Sequence, residues 1–135
     1  MAVPQSVPQL RILVVAGDRA GVCRLGAALQ ELGYADVVGT TSASKAVRLC
    51  QEARPRLVIL ESCLDGSSGY EVAEKLYDGL NPQEAPRMVM VTAGCEEIGR
   101  MQTRILQAAG VPVRPCAQET LTREVQAALA ATGSR

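Results

Sequence analysis

The sequence predicts a three-layer α/β domain built on a five-stranded parallel sheet. Two observations carry the prediction. Short β-branched runs alternate strictly with stretches of helical period along the whole chain. The central run, Leu57 to Leu60, is apolar at every position, as a strand buried on both faces must be. Strict alternation of strand and helix requires right-handed crossovers, which lay helices on both faces of one sheet. With 135 residues, 47% apolar and 21% charged, the chain has material for a single core.

The elements follow in order. Residues 1–9 carry Pro4 and Pro8 among small and polar side chains and read as a flexible arm. The folded domain is expected over residues 10–131, with 132–135 a fraying tail. Leu10 to Val15 is the first strand; Val22, Leu25, Leu29 and Leu32 then recur at steps of three and four on one helical face, closed by Gly33 as a C′ residue. Val37 to Thr40 is a second strand, and Ser42 is the expected N-cap for a helix carrying Ala43, Ala46, Val47 and Cys50. The third strand, Leu57 to Leu60, ends at Glu61. The Asp65-Gly66-Ser67-Ser68-Gly69 segment is a turn into a helix with Val72, Ala73 and Leu76 inward, and a loop beginning at Asn81-Pro82 ends before the strand Met88 to Val91. A fourth helix presents Ile98, Met101, Ile105 and Ala108 as its apolar face; Val111 to Val113 is the fifth strand, and Leu121, Val125 and Leu129 line the last helix.

Composition excludes several functions. Lys+Arg 14 balances Asp+Glu 14, leaving no electrostatic footprint for nucleic acid and no polybasic face for an anionic membrane. The absence of histidine removes the commonest general base and metal ligand. Without Phe or Trp, and with three tyrosines, the chain has few rings to stack on bases or sandwich a flavin. No apolar run is long enough to span a bilayer and the start lacks a signal-peptide layout, so a cytoplasmic protein without cofactor or metal is expected. The five cysteines are odd in number and none forms a Cys-x-x-Cys pair; they read as reduced thiols.

In parallel sheets of this type the functional crevice lies outside the carboxyl ends of the strands. Those ends hold Ala16-Gly17-Asp18, Glu61 to Leu64, Thr92 to Cys95, and Arg114 to Cys116. Here the chain resembles the receiver domain of two-component response regulators, the CheY-like module. The resemblance covers nearly all of Leu10 to Leu129 and rests on four stretches at compatible intervals: Leu13-Val14-Val15-Ala16-Gly17-Asp18, Leu57-Val58-Ile59-Leu60-Glu61, Val91-Thr92-Ala93 and Val113-Arg114-Pro115. In that family the first ends in two acidic residues that hold Mg2+, the second in the phosphoacceptor Asp, the third in Thr or Ser, and the fourth in Lys-Pro. The resemblance implies a CheY-like (βα)5 sandwich, a non-enzymatic role in phosphorelay signalling, and a protein partner, either a histidine kinase or a downstream signalling protein.

The motifs depart from that pattern where the chemistry lies. Ala16 and Gly17 occupy the two acidic positions and neither can ligate a cation, whereas Mg2+ needs oxygens to replace shed water. Asp18, one residue on, belongs to the loop by register. Glu61 replaces the phosphoacceptor one methylene longer, and phosphoryl transfer depends on positioning and charge neutralisation. Arg114 keeps the positive charge of the Lys but as a planar fork suited to a carboxylate, so Glu61, Thr92 and Arg114 are expected to form a fixed network with Arg114 on Glu61. The position matching the family's switch aromatic is Val111, which has no ring to swing. The expected function is that of a pseudo-receiver, an interaction module outside the ordinary phosphorylation cycle. One alternative is an orthodox receiver, with Asp18 standing in as ligand and Glu61 accepting phosphate. Another is a thiol sensor using Cys63, Cys95 and Cys116 at the strand-end rim, while Cys23 and Cys50 are expected to pack in helices. By the resemblance, the fourth helix, fifth strand and fifth helix form the docking and possible homodimer face, presenting Arg100, Thr103, Arg104, Pro112, Thr122 and Gln126 in some combination.

Overall fold

The computed structural model describes residues 11–64, 67–78, 86–91, 96–111, 113–117 and 120–133. The expected arm, the loop at Asn81-Pro82, Thr92, Cys95 and Pro112 lie outside the described residues. Element order is β1 (Ile12–Val15), α1 (Arg19–Glu31), β2 (Val37–Thr40), α2 (Ala43–Ala53), β3 (Leu57–Glu61), β4 (Cys63–Leu64), β5 (Ser67–Ser68), α3 (Gly69–Asp78), β6 (Arg87–Val91), α4 (Glu96–Ala108), β7 (Val113–Cys116) and α5 (Leu121–Gly133). Five of the strands form one sheet in the order β2-β1-β3-β6-β7, and each neighbouring pair is parallel. This is the α/β architecture that the alternation requires.

The period-two alternation of side chains along each strand divides the core in two. Leu13, Val15, Val58, Leu60, Met88 and Met90 face α2, α3 and α4, while Ile12, Val14, Leu57, Ile59, Val89 and Val91 face α1 and α5. Helix ends obey the capping chemistry visible in the sequence. Ser42 Oγ accepts the Lys45 N–H at 3.1 Å. Gly33, at φ 97°, donates to Gln30 O while Tyr34 N–H reaches Leu29 O, a Schellman closure of α1. At the start of α3, Ser68 Oγ accepts the Glu71 N–H at 3.1 Å and Glu71 Oε1 accepts the Ser68 N–H at 3.3 Å, a capping box.

Six expectations are corrected. The fifth strand of the sheet is Val113–Cys116 rather than Val111 to Val113, because the Val111 N–H bonds Leu106 O and closes α4 in a second Schellman motif with Gly110 at φ 92°. The same closure sets the roll of α4: Leu106 and Thr103 turn inward and are buried, while Met101 and Ile105 are 65% and 58% exposed. The apolar spacing at Met101, Ile105 and Ala108 therefore lies on the solvent side, and Thr103 is not a surface residue. Helix α5 continues to Gly133, through positions read as tail. Cys116, read as a rim thiol, ends β7 as a buried residue, and Cys23 is exposed on α1 rather than packed.

Candidate functional site

The end of β3 carries Glu61, and the chain beyond β1 wraps around it. Glu61 Oε1 accepts the main-chain N–H of Gly17 at 2.8 Å, and Glu61 Oε2 lies 3.7 Å from Arg24 Nη2 on α1. The Glu61 side chain is 20% exposed and that of Arg24 54%, so the amide contact is the stronger hold. A charge-assisted hydrogen bond from a main-chain amide contributes about 1.5–3 kcal/mol, a half-exposed ion pair below about 1 kcal/mol.

Small residues give the carboxylate its room. A Cβ added at Gly21 would stand 3.2 Å from Glu61 Oε1, 3.2 Å from Asp18 Oδ1 and 3.0 Å from Ala16 Cβ. The carboxylate thus rests against the first turn of α1, where unpaired N–H groups give a helix N-terminus its positive potential. Asp18 is the N-cap of that helix and accepts the Gly21 N–H at 2.8 Å. Its position just past the strand is explained by capping.

Gly17 is constrained from the opposite side. A Cβ there would come to 2.9 Å from the Cys63 carbonyl oxygen, so the backbone after β3 fills the space that a side chain would need. Cys63 and Leu64 pair with Ser68 and Ser67 in a short antiparallel hairpin. That hairpin is pinned at its base, with Ser62 N–H on Val91 O and Gly69 N–H on Ser62 O, both at 2.9 Å.

The residues present do not fit a magnesium centre of the kind the resemblance implies. Ala16 and Gly17 offer no side-chain oxygen, one oxygen each of Asp18 and Glu61 is committed to a main-chain amide, and Arg24 already brings positive charge beside Glu61. Among the described residues no group of three or more Cys, Asp or Glu is placed to hold a metal ion.

Of the expected network only Glu61 has a described side chain. Thr92 lies outside the described residues, and Arg114 is placed by its backbone alone. The register sets Arg114 opposite Val89, which is opposite Ile59, so Arg114 stands two residues short of the level of Glu61, where Cys116 sits. The cation that the described side chains bring to Glu61 is Arg24. Sequence reasoning missed it, although Gly21 and Arg24 stand three residues apart on one face of the predicted first helix.

The thiol reading weakens at Cys116. Burial and, secondarily, the charge of Glu124 push its thiol up to about 11, and burial pushes Cys50 up to about 12. Both thiols lie above their ordinary value, so folding favours the protonated form. Stability from this source is complete below about pH 9 and is lost as pH rises toward 11 and 12. Thermal midpoints measured across that window should fall, and fall less in Cys50→Ala. At neutral pH, iodoacetamide should modify Cys23 and Cys63 in the native protein and spare Cys50 and Cys116 until denaturant is added.

No helix among the described residues is long and apolar enough to cross a membrane. No curated protein matches the chain. Solved structures do. The signal receiver domain of a modulated diguanylate cyclase from Desulfovibrio desulfuricans G20 is 25% identical with a TM-score of 0.68, over 88% of this chain and 92% of that one. The chemotaxis protein CheY4 of Vibrio cholerae, 17% identical, superposes with a TM-score of 0.73 over 89% of this chain and 98% of its own. The response regulator TrrA of Thermotoga maritima, solved in complex with Mg2+–BeF, is 21% identical with a TM-score of 0.70, over 87% and 96%. The response regulator receiver domain model matches residues 12–126, and with this strand order and these structural neighbours the chain belongs to that family.

Proposed function

We propose that this receiver domain is a pseudo-receiver: a non-enzymatic, cytoplasmic protein-interaction module that does not run the metal-dependent phosphorylation cycle. The observation that carries the proposal is the Gly17 N–H on Glu61 Oε1 at 2.8 Å, at a position closed to a side chain by the Cys63 carbonyl. The chain's own amide and Arg24 supply the counter-charge that a dication provides in working receivers, so the pocket rests in one state. Glu61 is the phosphoacceptor equivalent in this reading, with Thr92 and Arg114 at the switch-equivalent positions. The proposed unit begins at residue 10 and ends with α5.

The proposed partner is a protein, a histidine kinase or a downstream signalling component, docking on the face of α4, β7 and α5. Met101 and Ile105 support that choice, being the large apolar side chains left exposed among the described residues. A second copy of the chain is the alternative occupant of the same face.

Phosphorylation separates this reading from the orthodox one. Incubation with acetyl phosphate and Mg2+ should leave the intact mass unchanged, and Mg2+ with beryllofluoride, the reagents bound by the Thermotoga maritima neighbour, should leave the spectrum unchanged. A phosphoryl adduct mapped to Glu61 would restore the conventional receiver as the better account.

A further inference from the structure

The two edges of the main sheet are unlike. The β7 edge includes Pro115, which has no N–H to offer a further strand. At the β2 edge, Ile12 N–H bonds Asp36 O and Ala16 N–H bonds Thr40 O, so the even-numbered residues of β2 face β1. The N–H and C=O of Gly39 therefore turn away from the sheet, flanked by the Val37 C=O and the Thr41 N–H, and Gly39 is exposed. Natural sheets blunt such edges with proline, lysine or inward charge. From Val37 to Ser44 this chain has none of these, and Asp36 just before them is already paired with Arg11 at 3.3 Å.

Apolar side chains border the open edge on both faces. On the α1 face a Cβ at Gly39 would collide with Val22 Cγ1, so the bare glycine lets Val22 lie close against the strand, and Val22 and Val37 are half-buried. On the α2 face, Val38 and Leu49 are half-buried beside a cleft of about 40 Å³ that Leu13, Ala53 and Pro55 also line. Helix α1 packs against β2, and Gly26, one turn past Val22 on that helix, has nothing within 4 Å of where its Cβ would stand. A glycine in a helix interior costs stability relative to alanine, and packing within a single chain gives no reason for it.

We propose that β2 is a homotypic interface: the β2 strands of two copies pair antiparallel across a twofold axis and join their sheets into one. Gly39 exchanges N–H and C=O bonds with the partner's Gly39, and the Thr41 N–H meets the partner's Val37 C=O. A second copy fits better than a foreign strand, because symmetry sets the same apolar border against itself on both faces, with Gly26 leaving room for α1 to approach its counterpart. A lone peptide gains the main-chain bonds, which are worth little net of water, and covers less of that border. At four residues β2 makes a small interface and a weak dimer, with a dissociation constant on the order of 100 µM. This surface lies at the opposite edge of the sheet from β7 and does not depend on the state of Glu61.

The test follows the 135-residue chain by sedimentation and amide chemical shifts from about 10 µM to about 1 mM, a range that brackets the expected constant. The mass should rise toward that of a dimer, with saturable shifts at Gly39 and Thr41. Hydrogen exchange at Gly39 should slow about fourfold across the range as the free fraction falls, while exchange at Val38, which faces β1, should not change. Gly26→Lys adds no clash within the chain and sets like charges against each other across the axis, so it should stay monomeric with an unfolding midpoint no lower than wild type. Val38→Lys, a charge on the edge strand itself with its stem along Leu49, should also stay monomeric. Ile105→Asp, on the α4 face, should associate as the wild type does. A monomer at the highest concentration, shifts centred on α4 instead of β2, loss of association in Ile105→Asp, or its persistence in the two lysine variants would each overturn the proposal.

Discussion

Replacement of Gly69 by alanine is expected to destabilise the domain by about 3 kcal/mol, the upper end of what overpacking costs. A Cβ at this position would overlap the Glu61 carbonyl oxygen and stand 2.8 Å from Met90 Sδ and 3.1 Å from the Glu61 carbonyl carbon. The thioether can yield, but the carbonyl cannot. It belongs to the last residue of β3, held by Ser62 N–H on Val91 O and Gly69 N–H on Ser62 O. Relief must therefore come by moving the strand end that carries Glu61. Urea unfolding should show the loss at the midpoint, and the Gly17 amide resonance should shift as its hydrogen bond is disturbed. Gly26→Ala, in α1 with nothing within 4 Å of the new methyl, serves as a control of opposite sign and should gain about 0.5–1 kcal/mol. Equal stability of the two alanine variants would contradict the packing described at Gly69.

The second large effect lies at the carboxylate. Glu61→Ala removes the acceptor of the Gly17 N–H and leaves Arg24 without its partner, a loss of roughly 1.5–3 kcal/mol. Glu61→Gln retains an acceptor for the amide and should cost less. Arg24→Met, which removes an ion pair half open to water, should cost below about 1 kcal/mol. The predicted order of unfolding midpoints is wild type, Arg24→Met, Glu61→Gln, Glu61→Ala. If Arg24→Met proved the most damaging, the ion pair rather than the amide would hold Glu61.

The sheet was legible because its strands are short, apolar and regularly spaced, and burial on both faces leaves little choice of residue. Ser42 and Gly33 announced their caps by the same local chemistry that the structure uses. Helix α4 was misread for a physical reason. Met101 and Ile105 carry the apolar period, yet the roll of the helix is set at its far end, where Gly110 turns the chain and Val111 folds back on Leu106. A periodicity argument sees one face and cannot tell which side the closure will turn inward. At the site, Ala16, Gly17 and Glu61 were legible as departures from a motif, while the groups that replace the missing chemistry were not. The Gly17 amide carries no side-chain signal, and Arg24 acts from a helix rather than from a strand end. The fit of Gly17 against the Cys63 carbonyl is a contact between segments far apart in sequence.

The central claim is that the chain's own amide and guanidinium hold Glu61 in place of a dication. Titration of the 135-residue chain with Mg2+, read at the Gly17 amide and the side-chain carboxyl carbons of Asp18 and Glu61, tests it most directly. The account predicts no saturable change at any of the three. A saturable Mg2+-dependent shift shared by Asp18 and Glu61, with the Gly17 amide released from its bond, would contradict it.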